Sequence, residues 1–210
     1  MNQKDDILQR QLPTMIVPIY EPLSPIAPGT ARLLMAKDGL WIEADAIWGH
    51  FRKQLWDSPR DLPYGLIEEI GALRCGRIPT RYLDQFAFQA NEEAERGCET
   101  AAWIIWHPTI GWKYHQLEFL DQSAVSVSYR WPQLEPEWHL ILDLHSHGRL
   151  PAFFSSTDER SDQGNPHFSM VFGKCQRGMN RADLDCELRL CIASFYFDED
   201  VSLERGERRS

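Results

Sequence analysis

With 210 residues, 43% of them hydrophobic and eight Trp and ten Phe included, the chain has enough apolar material for a packed core and too much for disorder. A formal net charge of −9 argues against a phosphate-tracking surface, so no nucleic-acid partner is expected. No apolar run approaches the roughly 18 residues of a membrane helix, and five cysteines without a C-x-x-C pair read as reduced thiols rather than as a structural metal site.

The opening MNQKDDILQRQ is polar and lacks the apolar core of a secretory signal, which makes a cytoplasmic location the expectation. From Leu12 to Gly29, Pro13, Pro18, Pro22, Pro25 and Pro28 punctuate Met15, Ile16, Val17, Ile19 and Tyr20. Proline fixes φ and donates no backbone hydrogen bond, so this stretch reads as an extended strap or edge segment. Leu33–Ala36 and Leu40–Glu43 flank Lys37, Asp38 and Gly39, and Asp-Gly between apolar runs signals a hairpin. Trp48, Phe51 and Leu55 recur at the spacing of a short helix, with a strand as the alternative. Residues 1–78 thus form an N-terminal extension with no recognisable chemistry.

Thr80, after Pro79, can cap a helix over Arg81–Arg96 whose apolar side is Leu83, Phe86, Ala87, Ala90 and Ala94, with Gly97 as its stop. Glu99 then precedes a short apolar strand, Thr100–Trp106. Trp112–Leu120 and Ala124–Tyr129 read as further strands, followed by a loop containing Pro132 and Pro136. Trp131, Trp138 and Phe153 read as buried aromatics before substrate clamps.

Leu140–Leu144 has the composition of a buried strand, and it ends in His145-Ser146-His147. Strand side chains alternate, so both histidines point the same way and can reach one ion just past the strand's end. A helix start follows: Ser155 or Ser156 can cap it, Ser156 with Glu159 makes a capping box, and Asp158 lies three positions on from Ser155. Two imidazoles and one carboxylate form a three-ligand set that zinc completes with water. Phe168–Phe172 and Leu184–Phe197 are the closing strands, and residues 198–210 a charged tail. His50, His107, His115, His139 and His167 show no partner pattern.

His145-Ser146-His147, the spacer 148–154, Ser155, two residues and Asp158 resemble the signature of the JAMM metalloproteases, the zinc-bearing branch of the MPN domain superfamily. The run HSHG…PAFFSSTD looks most like the PRTRC system protein A family within the prokaryotic JAB branch. Gly148 departs from the pattern, since many eukaryotic members carry proline there. The resemblance covers about Pro79–Phe197 and implies a mixed α/β (α+β) MPN/JAB-like fold, a central mixed or mostly antiparallel sheet flanked by helices.

The resemblance also implies that His145, His147 and Asp158 hold one zinc per chain and that Ser155 stabilises a tetrahedral intermediate. The family's general base is a glutamate at the start of the strand after the first helix; Glu99 fills that place, with Glu93, Glu95 and Glu118 in reserve. The implied reaction is hydrolysis of a peptide or isopeptide bond at the C-terminal tail of a ubiquitin-like, β-grasp protein, with a ThiF-type adenylating enzyme as a further partner. A zinc hydrolase acting on a small-molecule or sulfur-transfer substrate, and a latent or non-catalytic scaffold, are the alternatives.

Overall fold

The chain divides between Gly76 and Arg77 into two units, each with its own sheet; the computed structural model describes residues 2–124, 126–155, 158 and 164–200. In the first unit the polar opening forms helix α1 (Gln3–Gln11), begun by Asn2, whose Oδ1 accepts the Lys4 N–H at 3.0 Å. That bond satisfies one of the donors a helix start leaves open. Five strands follow, β1 (Thr14–Ile16), β2 (Thr30–Ala36), β3 (Gly39–Ala46), β4 (Gly49–Asp57) and β5 (Ile70–Leu73), adjacent in that order. β1 is parallel to β2, and the other neighbours are antiparallel. The proline-rich segment supplies the short β1 and scattered backbone bonds, among them the Val17 N–H to Met35 O and the Gly65 N–H to Val17 O. Lys37 and Asp38 turn β2 into β3, where Gly39, at φ 140°, has no room for a side chain because a Cβ would overlap the Trp56 carbonyl.

The helical spacing of Trp48, Phe51 and Leu55 does not become a helix: β4 runs through it, with Phe51 opposite Ala44 and Arg52 opposite Glu43. The cause lies across the sheet. Buried Glu43 accepts Arg32 Nε at 2.7 Å and Arg52 at 2.5 Å and pairs with His50 Nε2 at 3.0 Å, and only a strand at 49–57 brings Arg52 and His50 to it. Burial alone would raise the Glu43 pKa, but the bonds from Arg32, Arg52 and His50 outweigh it and the net shift is downward.

In the second unit, α2 (Thr80–Glu95) precedes β6 (Ala101–His107), β7 (Gly111–Gln116), β8 (Phe119–Gln122), β9 (Val127–Tyr129), β10 (His139–Ser146), β11 (Gly164–Gly173), β12 (Asp185–Ala193) and β13 (Phe195–Glu199). Six of these strands make one sheet in the order β13-β12-β11-β10-β6-β7; β8 and β9 pair as a separate ribbon. The β10–β11 pairing is parallel and every other pairing of the large sheet antiparallel, so the unit is a mixed-sheet α+β domain.

α2 begins one residue earlier than its sequence signals suggest: Pro79, with no side-chain cap bond, occupies the cap position in place of Thr80. Its Phe86, Ala87, Ala90 and Ala94 pack on Ala102, Ile104, Leu142, Leu144, Met170 and Phe172, one face of the sheet. The opposite face carries Ala101, Trp103 and Ile105 under Leu117, with Phe119, Val127 and Tyr129 of the ribbon against them. Trp112–Leu120 is two strands rather than one, because buried Leu117 leaves the large sheet to join this second cluster. Leu184–Phe197 likewise folds back on itself as β12 and β13, turning where Ala193 takes φ 55°. The expected strand at Ala124–Tyr129 shortens to β9, Val125 lying outside the described residues.

Among the described residues no helix is long and apolar enough to cross a membrane. The Glu43 cluster gives the first unit its clearest test. Removing the carboxylate in Glu43→Ala leaves the buried Arg32 and the half-buried Arg52 guanidinium groups without their counter-charge. The expected cost is about 3–5 kcal/mol of unfolding free energy, measured by urea denaturation of the full chain.

Candidate metal centre

β10 lies between β6 and β11, and its alternation decides which side chains reach the site. Leu142 and Leu144 face α2, while Asp143 and His145 face the other way, His145 opposite Ala101 and Val171. Past the strand, the chain stays attached on both sides. The Ser146 N–H donates to Thr100 O at 2.9 Å, the Ser146 Oγ accepts the Thr100 N–H at 3.1 Å, and the His147 N–H donates to Phe172 O at 2.8 Å. The two imidazoles thereby sit side by side, ring centroids 5.3 Å apart.

Asp158 meets them from the following loop. Its Oδ1 is 3.3 Å from His145 Nε2 and its Oδ2 is 3.9 Å from His147 Nε2. One ligand atom from each of His145, His147 and Asp158 lies within 4.8 Å of the others. Ser155 orients the carboxylate: its backbone N–H donates to Asp158 Oδ2 at 2.6 Å, and its Oγ accepts the Asp158 N–H at 3.4 Å. The expected Ser156–Glu159 capping box lies outside the described residues.

The electrostatics separate two carboxylates. Burial alone would raise the Asp158 pKa, but the hydrogen bond from His145, its charge and the bonds from Ser155 hold the carboxyl well below the usual range. Glu99, buried in the loop before β6, goes the other way: desolvation pushes it up to about 7, opposed by His145 and reinforced by the Asp158 charge. Burial first, then the neighbouring His145, lowers His147, which keeps its lone pair available to a cation. Its Nδ1 is buried with no hydrogen-bond partner among the described residues. Two convergent imidazoles and an ionised carboxylate, partly desolvated, fit a borderline divalent ion such as zinc.

Glu99 is fixed from two sides, by α2 and by the β8–β9 ribbon. The Cys98 N–H before it bonds Glu93 O at the end of α2, and the Thr100 side chain after it accepts Gln89 of α2 at 2.6 Å. From the ribbon side the Glu99 N–H donates to Ser123 O, and Gln122 Nε2 donates to Glu99 O at 3.1 Å. The sequence places Glu99 just before a strand beginning at Thr100; the structure begins β6 one residue later, at Ala101, and leaves Glu99 in the preceding loop, where the carboxylate senses both His145 and Asp158. Glu93, Glu95 and Glu118 instead make ion pairs with Arg96, Arg149 and Arg130.

The aromatics divide. Trp131 and Phe153 are exposed rather than buried, while Trp138 packs on His107. The Phe153 ring stands 4.4 Å from His147 and the Phe154 ring 6.1 Å from His145. Phe154 plays no part in the sequence reading, and its only signal there is adjacency to Ser155.

This His-x-His strand end, with its carboxylate and upstream glutamate, lies inside residues 79–185, which match the prokaryotic homologs of the JAB domain. The chain belongs to that family. Its JAB domain accounts for just over half the sequence, and residues 2–74 match a separate domain of unknown function, DUF2016. A solved structure that resembles the chain is the solution structure of protein DSY2949 from Desulfitobacterium hafniense, at 15% identity and a TM-score of 0.41, covering 57% of this chain and 86% of that one. No curated protein matches the chain.

The upward shift of Glu99 has a sign that can be measured in metal-free JAB domain within the full chain. A carboxyl whose folded pKa of about 7 exceeds its ordinary 4.5 binds more protons folded than unfolded between those values, so stability falls as pH rises through that window. Glu99→Gln removes the ionisation. Unfolding in chelator is expected to show the variant about 1–3 kcal/mol more stable than the parent at pH 8 and nearly equal to it at pH 4.5.

Proposed function

We propose that the JAB domain is a zinc-dependent metallopeptidase or isopeptidase. The observation that supports this reading best is the convergence of His145, His147 and Asp158 beside a buried Glu99. In this reading His145, His147 and Asp158 hold one zinc ion and Glu99 and Ser155 act on the substrate. When bound, zinc supplies a Lewis acid that lowers the pKa of a water molecule in its open position.

Each side chain then has a task that its environment suits. The Glu99 carboxylate takes the proton of the attacking water and returns it to the departing amine; a pKa pushed toward neutrality suits a group that must both accept and donate. The Ser155 hydroxyl donates to the oxyanion that develops on the substrate carbonyl, while the Ser155 backbone N–H keeps its bond to Asp158. Burial of His147 and half-burial of Asp158 limit water at the site, which strengthens these interactions. No residue need become covalently attached to the substrate.

The substrate we propose is an amide bond at the C-terminal tail of a ubiquitin-like, β-grasp protein, with a ThiF-type adenylating enzyme as a working partner. Support for both comes from the likeness of HSHG…PAFFSSTD to the PRTRC system protein A family. An extended tail also suits the place: the β8–β9 ribbon borders Glu99, and Phe153 stands exposed beside His147.

Two measurements test the reading. Metal analysis of the full chain is expected to find one zinc per chain in the parent and in Glu99→Gln, and none in His147→Ala; a parent that neither carries nor takes up zinc overturns it. With a β-grasp protein extended at its C-terminus as substrate, Ser155→Ala is expected to retain zinc and to lose about 100- to 1000-fold in turnover, read by mass spectrometry of the cleaved tail. Cleavage of small amides with no cleavage of the tail would move the assignment to a small-molecule hydrolase.

A further inference from the structure

Buried arginine is expensive unless its guanidinium is matched by partners. Arg189 is buried in the middle of β12, between Leu188 and Leu190 in an otherwise apolar run. It faces the same side of the sheet as the metal centre: Arg189 stands opposite Ser169 of β11, which stands opposite Asp143 of β10, two residues before His145. Its guanidinium carbon lies 3.8 Å from the centroid of the Phe154 ring and 4.3 Å from that of Tyr196.

Phe154 is the residue before Ser155, and its ring packs edge-on against His145. The loop that leaves His147 is tied to the sheet in stages. Near its start, the Cys175 N–H donates to Gly148 O at 2.8 Å and the Lys174 N–H to Leu150 O at 2.6 Å. Further on, the Ala152 N–H donates to Asp185 Oδ2 at 3.2 Å, at the first residue of β12. Beyond Ala152, Ser155 and Asp158 bond to each other, which orients the carboxylate towards His145. Beside the Asp158–His145 contact, two rings also pack that end of the loop on the sheet, Phe153 on His147 and Phe154 on His145 and Arg189.

We propose that Arg189 is a positioning residue of the metal centre: its guanidinium, stacked on Phe154 and Tyr196, holds Phe154, and with it the adjacent Ser155 and the Asp158 bonded to Ser155, against His145. The inference rests on the metal-centre reading above. A planar guanidinium suits the task because it can lie flat on an aromatic face while its edge remains able to donate, which a lysine ammonium does not do. Asp185 and Arg189 lie on the same face of β12, four residues apart, so that one strand grips the loop at Ala152 and at Phe154. Arg189 touches no reacting atom in this scheme. Its effect reaches the site through Phe154.

The test reads metal affinity and site geometry in the full chain, by competition for zinc with a chromophoric chelator and by the visible absorption of the cobalt(II)-substituted protein. Arg189→Met is expected to keep a single site, to bind zinc about tenfold more weakly and to shift the cobalt bands. Arg189→Lys, which keeps the charge but not the plane, is expected not to restore the parent spectrum. Phe154→Leu should show a similar loss, and the double variant should lose no more than the worse single one, because both changes break one contact.

Parent-like zinc affinity and cobalt bands in Arg189→Met, or additive losses in the double variant, overturn the proposal, since a purely structural arginine would lower the unfolding temperature alone. If Arg189→Met does not fold by circular dichroism, Phe154→Leu decides: a loss of about tenfold supports the proposal and parent-like binding overturns it. A parent protein that takes up no metal overturns the metal-centre reading and this inference with it.

Discussion

The placement of β10 between an antiparallel neighbour, β6, and a parallel one, β11, is the constraint from which the metal centre follows. A strand flanked on both sides has its register fixed by two ladders, and a slip of one residue would turn His145 into the α2 face and Leu144 out of it. The ladders outlast the strand itself: Thr100 holds Ser146 from one side and Phe172 holds His147 from the other. Parallel pairing of β10 with β11 also requires the chain to leave at His147 and return at Gly164, and that crossing carries Ser155 and Asp158 over the strand's end. The site is therefore a product of topology first and of ligand chemistry second.

Within it, two carboxylates, Glu99 buried and Asp158 half-buried, are driven in opposite directions by what surrounds them. Asp158 accepts bonds from Ser155 and faces His145, and those contacts outweigh the cost of burial. Glu99 has its backbone satisfied by Ser123 and Gln122, and burial with the Asp158 charge nearby favours its protonated form. Environments that push two titratable groups apart suit the roles proposed here, an ionised ligand in Asp158 and a proton carrier near neutrality in Glu99. Glu43 in the first unit shows the contrast: it too is buried, but two guanidinium groups and His50 make it a structural anion.

The metal centre is legible in the sequence because its pieces are local. His145 and His147 are separated by one residue, Ser155 and Asp158 by two, and alternation along a strand with the periodicity of a helix start is enough to converge them. Glu99 is legible through order alone, a helix, a glycine stop and a strand, and the later start of β6, at Ala101 rather than Thr100, reflects the limited precision with which strand ends can be read. The first unit resists because its determinants are cross-strand. Glu43 looks like a surface charge until Arg32 and Arg52 are seen on the neighbouring strands, and the spacing of Trp48, Phe51 and Leu55 imitates a helix only because those partners are invisible to a local window. Arg189 and Phe154 are distant in sequence and meet only through the sheet, so no local pattern announces them.

Two glycines show why a motif does not by itself determine a site. Gly148 takes φ 55°, a conformation closed to proline, so this loop leaves His147 along a path that the proline of many related sequences does not allow. Gly173, at the end of β11, has the backbone of Pro151 and Ala152 where a Cβ would stand, so the loop lies directly on the strand. The first glycine turns the chain back towards β11 and the second lets it settle there. Only with both does Ala152 reach Asp185 and Phe154 reach Arg189, which is the approach that brings Ser155 and Asp158 back to the two histidines. The motif names the candidate side chains, but the backbone conformations between them decide whether they meet.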